Sequence, residues 1–115
     1  MLFDELSFHD SVILSVTEYT QNQMMDFVLD FPVEWENNLF EKKVMRFSGV
    51  VFYLKKEIPF SGYPVILEIK TSEENKSTYA VSPGQVVSSR HKIEMVTNAG
   101  LRIIQFDEVT LLEYA

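Results

Sequence analysis

Met25-Asp26-Phe27-Val28-Leu29-Asp30-Phe31-Pro32-Val33-Glu34-Trp35 is the stretch on which the reading of the fold turns. Every odd position is apolar, while the even positions, continued to Glu36, hold Asp26, Asp30, Glu34 and Glu36 together with Val28 and Pro32. Successive side chains of a strand point to opposite faces. The alternation therefore predicts a strand that turns its apolar set to a core and most of its acids to solvent. Pro32 has no amide hydrogen to give a ladder, which predicts that this strand lies at a sheet edge or breaks at a bulge there.

Upstream, Val12 to Tyr19 is a second β-rich run that ends in the polar Thr20-Gln21-Asn22-Gln23, so the two runs read as a hairpin. Downstream of Glu36-Asn37-Asn38 the alternation resumes from Val44 to Leu54 and changes phase at Ser48-Gly49, where glycine marks a bulge or bend. Pro59-Phe60-Ser61-Gly62-Tyr63-Pro64 reads as a connecting segment. For Val65 to Lys70, β-branched content fits a strand, and Pro64 with the Val65, Ile66 and Ile69 spacing fits a short helix. Ser72 to Ser77 reads as a polar loop. Ile93 to Thr97 and Leu101 to Phe106, joined by Asn98-Ala99-Gly100, predict another hairpin, and Val109 to Tyr114 a closing strand.

No repeat or linker divides the chain, so residues 1–115 are expected to form one mainly β domain. Its seven to nine short, mostly antiparallel strands would make a curved sheet, a sandwich or a partly open barrel, with at most one or two short helices. An α+β arrangement is the alternative class. Hydrophobic content of 46%, with nine Phe, five Tyr and one Trp, supplies a core and argues against disorder despite a net charge of −7. The absence of cysteine excludes disulfides, thiolate nucleophiles and Cys-based metal sites. Asp4 and Glu5 stand where a secretory leader carries positive charge, and the longest strictly apolar run, Val50 to Leu54, is far short of the ~20 residues of a membrane helix. A cytoplasmic location is expected.

Charge is segregated along the chain. Nine carboxylates and no lysine or arginine fall in the first 41 residues, against eight acids and ten bases in the remainder. Three explanations compete. Charged residues protect an exposed strand edge from aggregation. The acids pair with Lys42, Lys43, Arg46, Lys55, Lys56 or the Arg90-His91-Lys92 cluster, within one chain or across a homodimer. Or they recognise a basic protein, with Asp26, Asp30, Glu34 and Glu36 speeding association and Trp35 supplying affinity. An acidic chain repels both a phosphate backbone and anionic lipid, so neither nucleic acid nor membrane is an expected partner.

Motifs for chemistry are sparse. His9-Asp10-Ser11 contains the letters of a hydrolase triad, but adjacent residues do not place a base between nucleophile and orienting acid. A strand start in which Asp10 and Ser11 bond local amides is the simpler reading. Glu68-Ile69-Lys70 resembles the end of a metal-dependent nuclease core, with Glu57 as the nearest upstream carboxylate, yet Glu and Lys alternating on a solvent face account for it. His9 and His91 are the only imidazoles, and Asp26 and Asp30 are separated by roughly 13 Å along a strand, too far to share an ion. No catalytic, cofactor or metal residue is assigned. A non-enzymatic binding module with an acidic edge strand is the leading reading. The alternative is a small enzyme or ligand-binding protein with a pocket on the concave face of the sheet, which would gather His9, His91 or Glu68 into one cavity.

Leu6-Ser7-Phe8-His9-Asp10-Ser11 ahead of a hairpin, with Asn98-Ala99-Gly100 and Phe106-Asp107-Glu108-Val109-Thr110-Leu111-Leu112-Glu113 near the end, resembles a diffuse group of short bacterial β-rich proteins. Many of these have no known function. Some are classed as immunity proteins, which bind and neutralise a cognate toxin domain in interbacterial competition. The resemblance implies a small β-rich fold and a toxin domain as partner, and it assigns no functional residue.

Overall fold

A computed structural model describes the backbone of residues 1–59, 61–71, 78–82, 85–88 and 91–115, and the side chains of 1–59, 61–71 and 91–115. Phe60, the expected loop Ser72 to Ser77, and Arg90 lie outside the described residues. The strands are β1 (Val12–Tyr19), β2 (Met24–Glu34), β3 (Leu39–Ser48), β4 (Phe52–Glu57), β5 (Ile66–Thr71), β6 (Thr78–Ser82), β7 (Gln85–Ser88), β8 (His91–Thr97), β9 (Gly100–Phe106) and β10 (Glu108–Glu113). Eight of them form two antiparallel sheets, ordered β1-β2-β3-β10 and β4-β9-β8-β5, and β6 pairs with β7. The protein is mainly β, with a single α-helical turn, α1 (Leu2–Glu5), among the described residues. Val65 to Lys70, open between helix and strand from its sequence, is strand β5 preceded by one bridge residue.

Inward-facing positions of both sheets build one core. Met25, Phe27 and Leu29 of β2, Met45 and Phe47 of β3, Ile93 and Met95 of β8, and Ile104 and Phe106 of β9 are all buried. Three rings fix its centre: Phe47 meets Phe106 edge-on at 4.8 Å and Phe27 at 5.5 Å between centroids. Such geometry places the positive ring edge against the negative face. Phe3, carried by α1, reaches Phe47 and Phe8 and closes one end.

The phase change at Ser48-Gly49 is a corner. There β3 leaves the first sheet and the chain enters β4 in the second, while β9 passes to β10 through the single residue Asp107. Because β3 pairs with β10 and β4 with β9, one two-stranded ribbon bends from sheet to sheet. Asp107 N donates to Ser48 O at 3.0 Å across the bend. Gly49 has φ +65°, a conformation glycine adopts without strain. At the opposite side β1 and β5 are stitched together: Asp10 N donates to Ile66 O, Ile66 N to Ser11 O and Ile13 N to Pro64 O, at 2.8, 2.8 and 2.9 Å. The His9-Asp10-Ser11 motif is thus a joint between sheets. Its Ser11 hydroxyl, expected to bond a local amide, is instead buried with no hydrogen-bond partner among the described residues.

One expectation for β2 holds and one requires correction. Over Met24 to Asp30 it is an interior strand, flanked by β1 and β3, but its pairing with β1 ends at Asp30, and the register shift at Pro32/Glu34 supplies the bulge expected at the proline. The inward run of apolar residues ends at Phe31, since Val33 and Trp35 are exposed.

Gly100 (φ +152°) sits opposite Glu57 in the β4–β9 ladder, and a Cβ there would collide with the Lys56 carbonyl oxygen and lie 2.9 Å from Glu57 Cα. Gly100→Ala is expected to lower unfolding free energy by about 2–3 kcal/mol in urea titration. Ser11→Ala removes a buried unpaired hydroxyl, so its stability in the same titration should equal the wild type or exceed it by up to about 1 kcal/mol.

Candidate functional site

The registers of β2 define a projecting arm. β1 pairs with β2 only as far as Asp30, and β10 pairs with β3 only as far as Lys43. The hairpin between those residues therefore has no flanking strand on either side among the described residues. A four-residue turn, Trp35 to Asn38, closes it, with Asn38 N donating to Trp35 O at 3.2 Å and Asn38 in the left-handed region at φ 54°, which asparagine tolerates. Asn37 Nδ2 donates to the Glu34 carboxylate across the same turn.

Exposed apolar and acidic residues share this arm. Trp35 is 54% exposed, and Val33, Leu39 and Phe40 are exposed with it, interleaved with Glu34, Glu36 and Glu41. Below them Phe31 is buried against Phe8 at 5.2 Å, which anchors the arm to the core. The Trp35 indole lies nearly parallel to the His9 ring at 5.9 Å between centroids and 14°. His9 is held in turn by its Nδ1, which donates to Leu67 O at 2.6 Å.

The remaining acids of the expected ridge lie elsewhere. Asp26 is buried and receives two hydrogen bonds from Arg46, Nε to Oδ1 at 2.8 Å and Nη2 to Oδ2 at 2.9 Å. It was expected on an open solvent face, but its cross-strand neighbour on β3 is a cation, and a bidentate pair forms directly across the ladder. Asp30 is half-buried and stands opposite Lys42 in the same ladder. Glu34, Trp35 and Glu36 come together at the arm, separate from Asp26. Of the other aromatic side chains on these strands, Tyr19 and Phe40 are exposed and Tyr53 is partly buried.

His9 and Glu68 border one depression and His91 borders another, so these three do not meet. Glu68 Oε1 lies 3.5 Å from Lys70 Nζ on the exposed side of β5, and Glu57 borders a different depression. Among the described residues no group of three or more His, Asp or Glu side chains is placed to hold a metal ion, and no helix is long and apolar enough to cross a membrane.

A buried ion pair escaped the sequence reading. Arg102 and Glu57, whose side chains are 4% and 3% exposed, form a bidentate pair, Nε to Oε2 at 2.7 Å and Nη2 to Oε1 at 2.9 Å. Thr97 Oγ1 donates to Glu57 Oε2 at 3.1 Å, and the guanidinium lies 5.8 Å from the Phe27 ring centroid. Burial pushes the Glu57 carboxyl upward, but the hydrogen bonds and charge of Arg102, with Thr97 and Lys55, outweigh it and hold the group below the ordinary carboxylate range. Burial likewise pulls the Arg102 guanidinium down, and Glu57 with Tyr53 more than restores it. The Tyr53 hydroxyl is raised by burial against the opposing pull of Arg102. The available signal was phase: Arg102 shares the inward face of β9 with Ile104 and Phe106.

Comparison of the chain with protein families, with curated proteins and with solved structures returns no match.

Because the folded carboxyl of Glu57 titrates below its unfolded value, its stabilisation is complete above about pH 4.3 and is lost as pH falls through the folded value. Glu57→Gln, which leaves Arg102 buried without a counter-charge, should cost about 3 kcal/mol at pH 7. In denaturant titrations at descending pH, that gap should narrow below about pH 4.3.

Proposed function

We propose that this protein is a non-enzymatic protein-binding module, an immunity-type inhibitor of a basic toxin domain, and that the β2–β3 arm is what it presents to its partner. One observation carries the reading: an exposed indole at the end of an unflanked hairpin, beside exposed apolar residues and three exposed carboxylates. An apolar patch with a polar border is the usual character of an interaction surface. Tryptophan supplies large contact area where it fills a partner's pocket, and carboxylates around it speed encounter with a basic surface and disfavour acidic ones. The recognition surface is thus smaller than the whole acidic third of the sequence, comprising Glu34, Trp35, Glu36 and Glu41 with Val33, Leu39 and Phe40. Asp26 serves the fold through Arg46, and Asp30 stands at the arm's base. A cytoplasmic site of action belongs to this reading.

The test is affinity capture at low salt from the source organism with three baits: wild type, Trp35→Ala combined with Glu34→Gln and Glu36→Gln, and a control with Glu18→Gln and Glu108→Gln. The wild type and the control should each retain a stoichiometric basic protein that the arm variant loses. With that partner purified, Trp35→Ala alone should weaken binding by about 2 kcal/mol or more, roughly thirtyfold. Equal retention by all three baits would place binding elsewhere, and retention of a second copy of the chain would replace the inhibitor reading with self-association.

A further inference from the structure

The mouth of the sandwich, bordered by edge strands β1 and β4, carries a feature separate from the arm. A cleft of about 650 Å³ opens there, with the Arg102–Glu57 pair and Tyr53 among its lining residues. Its size falls in the ~300–1,000 Å³ range of small-molecule sites. Apolar groups from Leu14, Val16, Ile58 and Tyr63 form part of its wall, and Ile58 and Tyr63 are among the most exposed large apolar side chains described.

Hydrogen-bonding capacity within the Arg102–Glu57–Tyr53 cluster is one-sided. Glu57 accepts two bonds from Arg102 and one from Thr97, so its oxygens are engaged. Arg102 commits Nε and Nη2 to Glu57, but among the described residues Nη1 has only a 3.5 Å contact with the Tyr53 oxygen, at the outer limit for a hydrogen bond. Guanidinium has five N–H donors, and the Tyr53 hydroxyl keeps its own hydrogen to donate. Within this cluster donors are therefore left over, while Glu57 already accepts three bonds. Burying an ion pair costs more in desolvation than well-packed apolar residues would, and an acceptor bound at the remaining N–H and O–H groups would offset part of that cost.

Charge decides between ligand classes. The charged groups of the lining are Arg102 and Lys55 against Glu57 and Glu18, which balance. An anion placed beside Arg102 would compete with Glu57 and meet no uncompensated cation. We propose that the cleft binds an uncharged, mainly apolar carbonyl compound of the amide class, its oxygen accepting from Tyr53 O–H and Arg102 Nη1 and its apolar body lying against Leu14, Val16, Ile58 and Tyr63.

The probe is 3-phenylpropanamide, compared with 3-phenylpropanoate, in NMR titrations of the full chain that follow the Tyr53 ring and Arg102 Nε–H signals. The amide should shift both at millimolar concentration, and more strongly than the carboxylate. Tyr53→Phe keeps the ring and should weaken amide binding about fivefold, the effect of one hydrogen bond. Arg102→Lys keeps a cation for Glu57, removes Nη1 and should weaken binding at least as much. The arm variant Trp35→Ala should leave amide binding unchanged, which separates this proposal from the preceding one. Absence of shifts with the amide, tighter binding of the carboxylate, or amide binding unaffected by Tyr53→Phe would each overturn the proposal.

Discussion

The bent ribbon formed by β3 with β10 and by β4 with β9 is the constraint on which the structure depends. Two adjacent strands leave one sheet together and enter the other together, so the two corners must form at the same level. Gly49 and Asp107 make them, the first by a left-handed backbone and the second as a one-residue passage bonded to Ser48. Strands that change sheets at bends are how packed sheets turn a corner. Phe47 and Phe106, immediately before the two corners, then meet edge to face in the core. The joint between β1 and β5 ties the sheets a second time, leaving the mouth between β1 and β4 open.

That topology redistributes the charge. Along the chain the acids and bases are separated, but antiparallel pairing of β2 with β3 folds the acidic third against the first basic residues, bringing Asp26 to Arg46 and Asp30 opposite Lys42. Lys43 turns the other way, to Glu113 of β10 at 2.7 Å, and Glu113 with Glu41 raises its ammonium above the ordinary lysine range against a smaller effect of desolvation. A field read from the linear sequence thus becomes a set of cross-strand neighbours. Among the described residues, what it leaves without a strand beside it is the arm, where β1 and β10 end before the hairpin does.

Much of this was legible from periodicity. The hairpins β1–β2 and β8–β9, the interruption at Ser48-Gly49 and the bulge near Pro32 follow from local rules of alternation and turn chemistry, and each lies where residue pattern alone put it. Less legible was anything that requires knowing the far side of a strand. Val33 and Trp35 continue the apolar phase of Phe27, Leu29 and Phe31 yet are exposed, in a segment where, among the described residues, the flanking strands have already ended. Arg102 holds an inward phase among Ile104 and Phe106, and its partner Glu57 lies 45 residues away.

Sequence by itself determined the class of structure: β strands with known faces, the places where they turn, and a cysteine-free acidic chain. It could do so because side-chain alternation and turn preference act over a few residues. Tertiary structure alone decided which strands are interior, which acids are consumed by Arg46, and that Trp35 projects from an unflanked hairpin beside His9. It also decided that Glu57 and Arg102 meet at an open mouth. Register and strand length fix these features, and both are set by contacts between residues distant in sequence, to which local periodicity carries no reference.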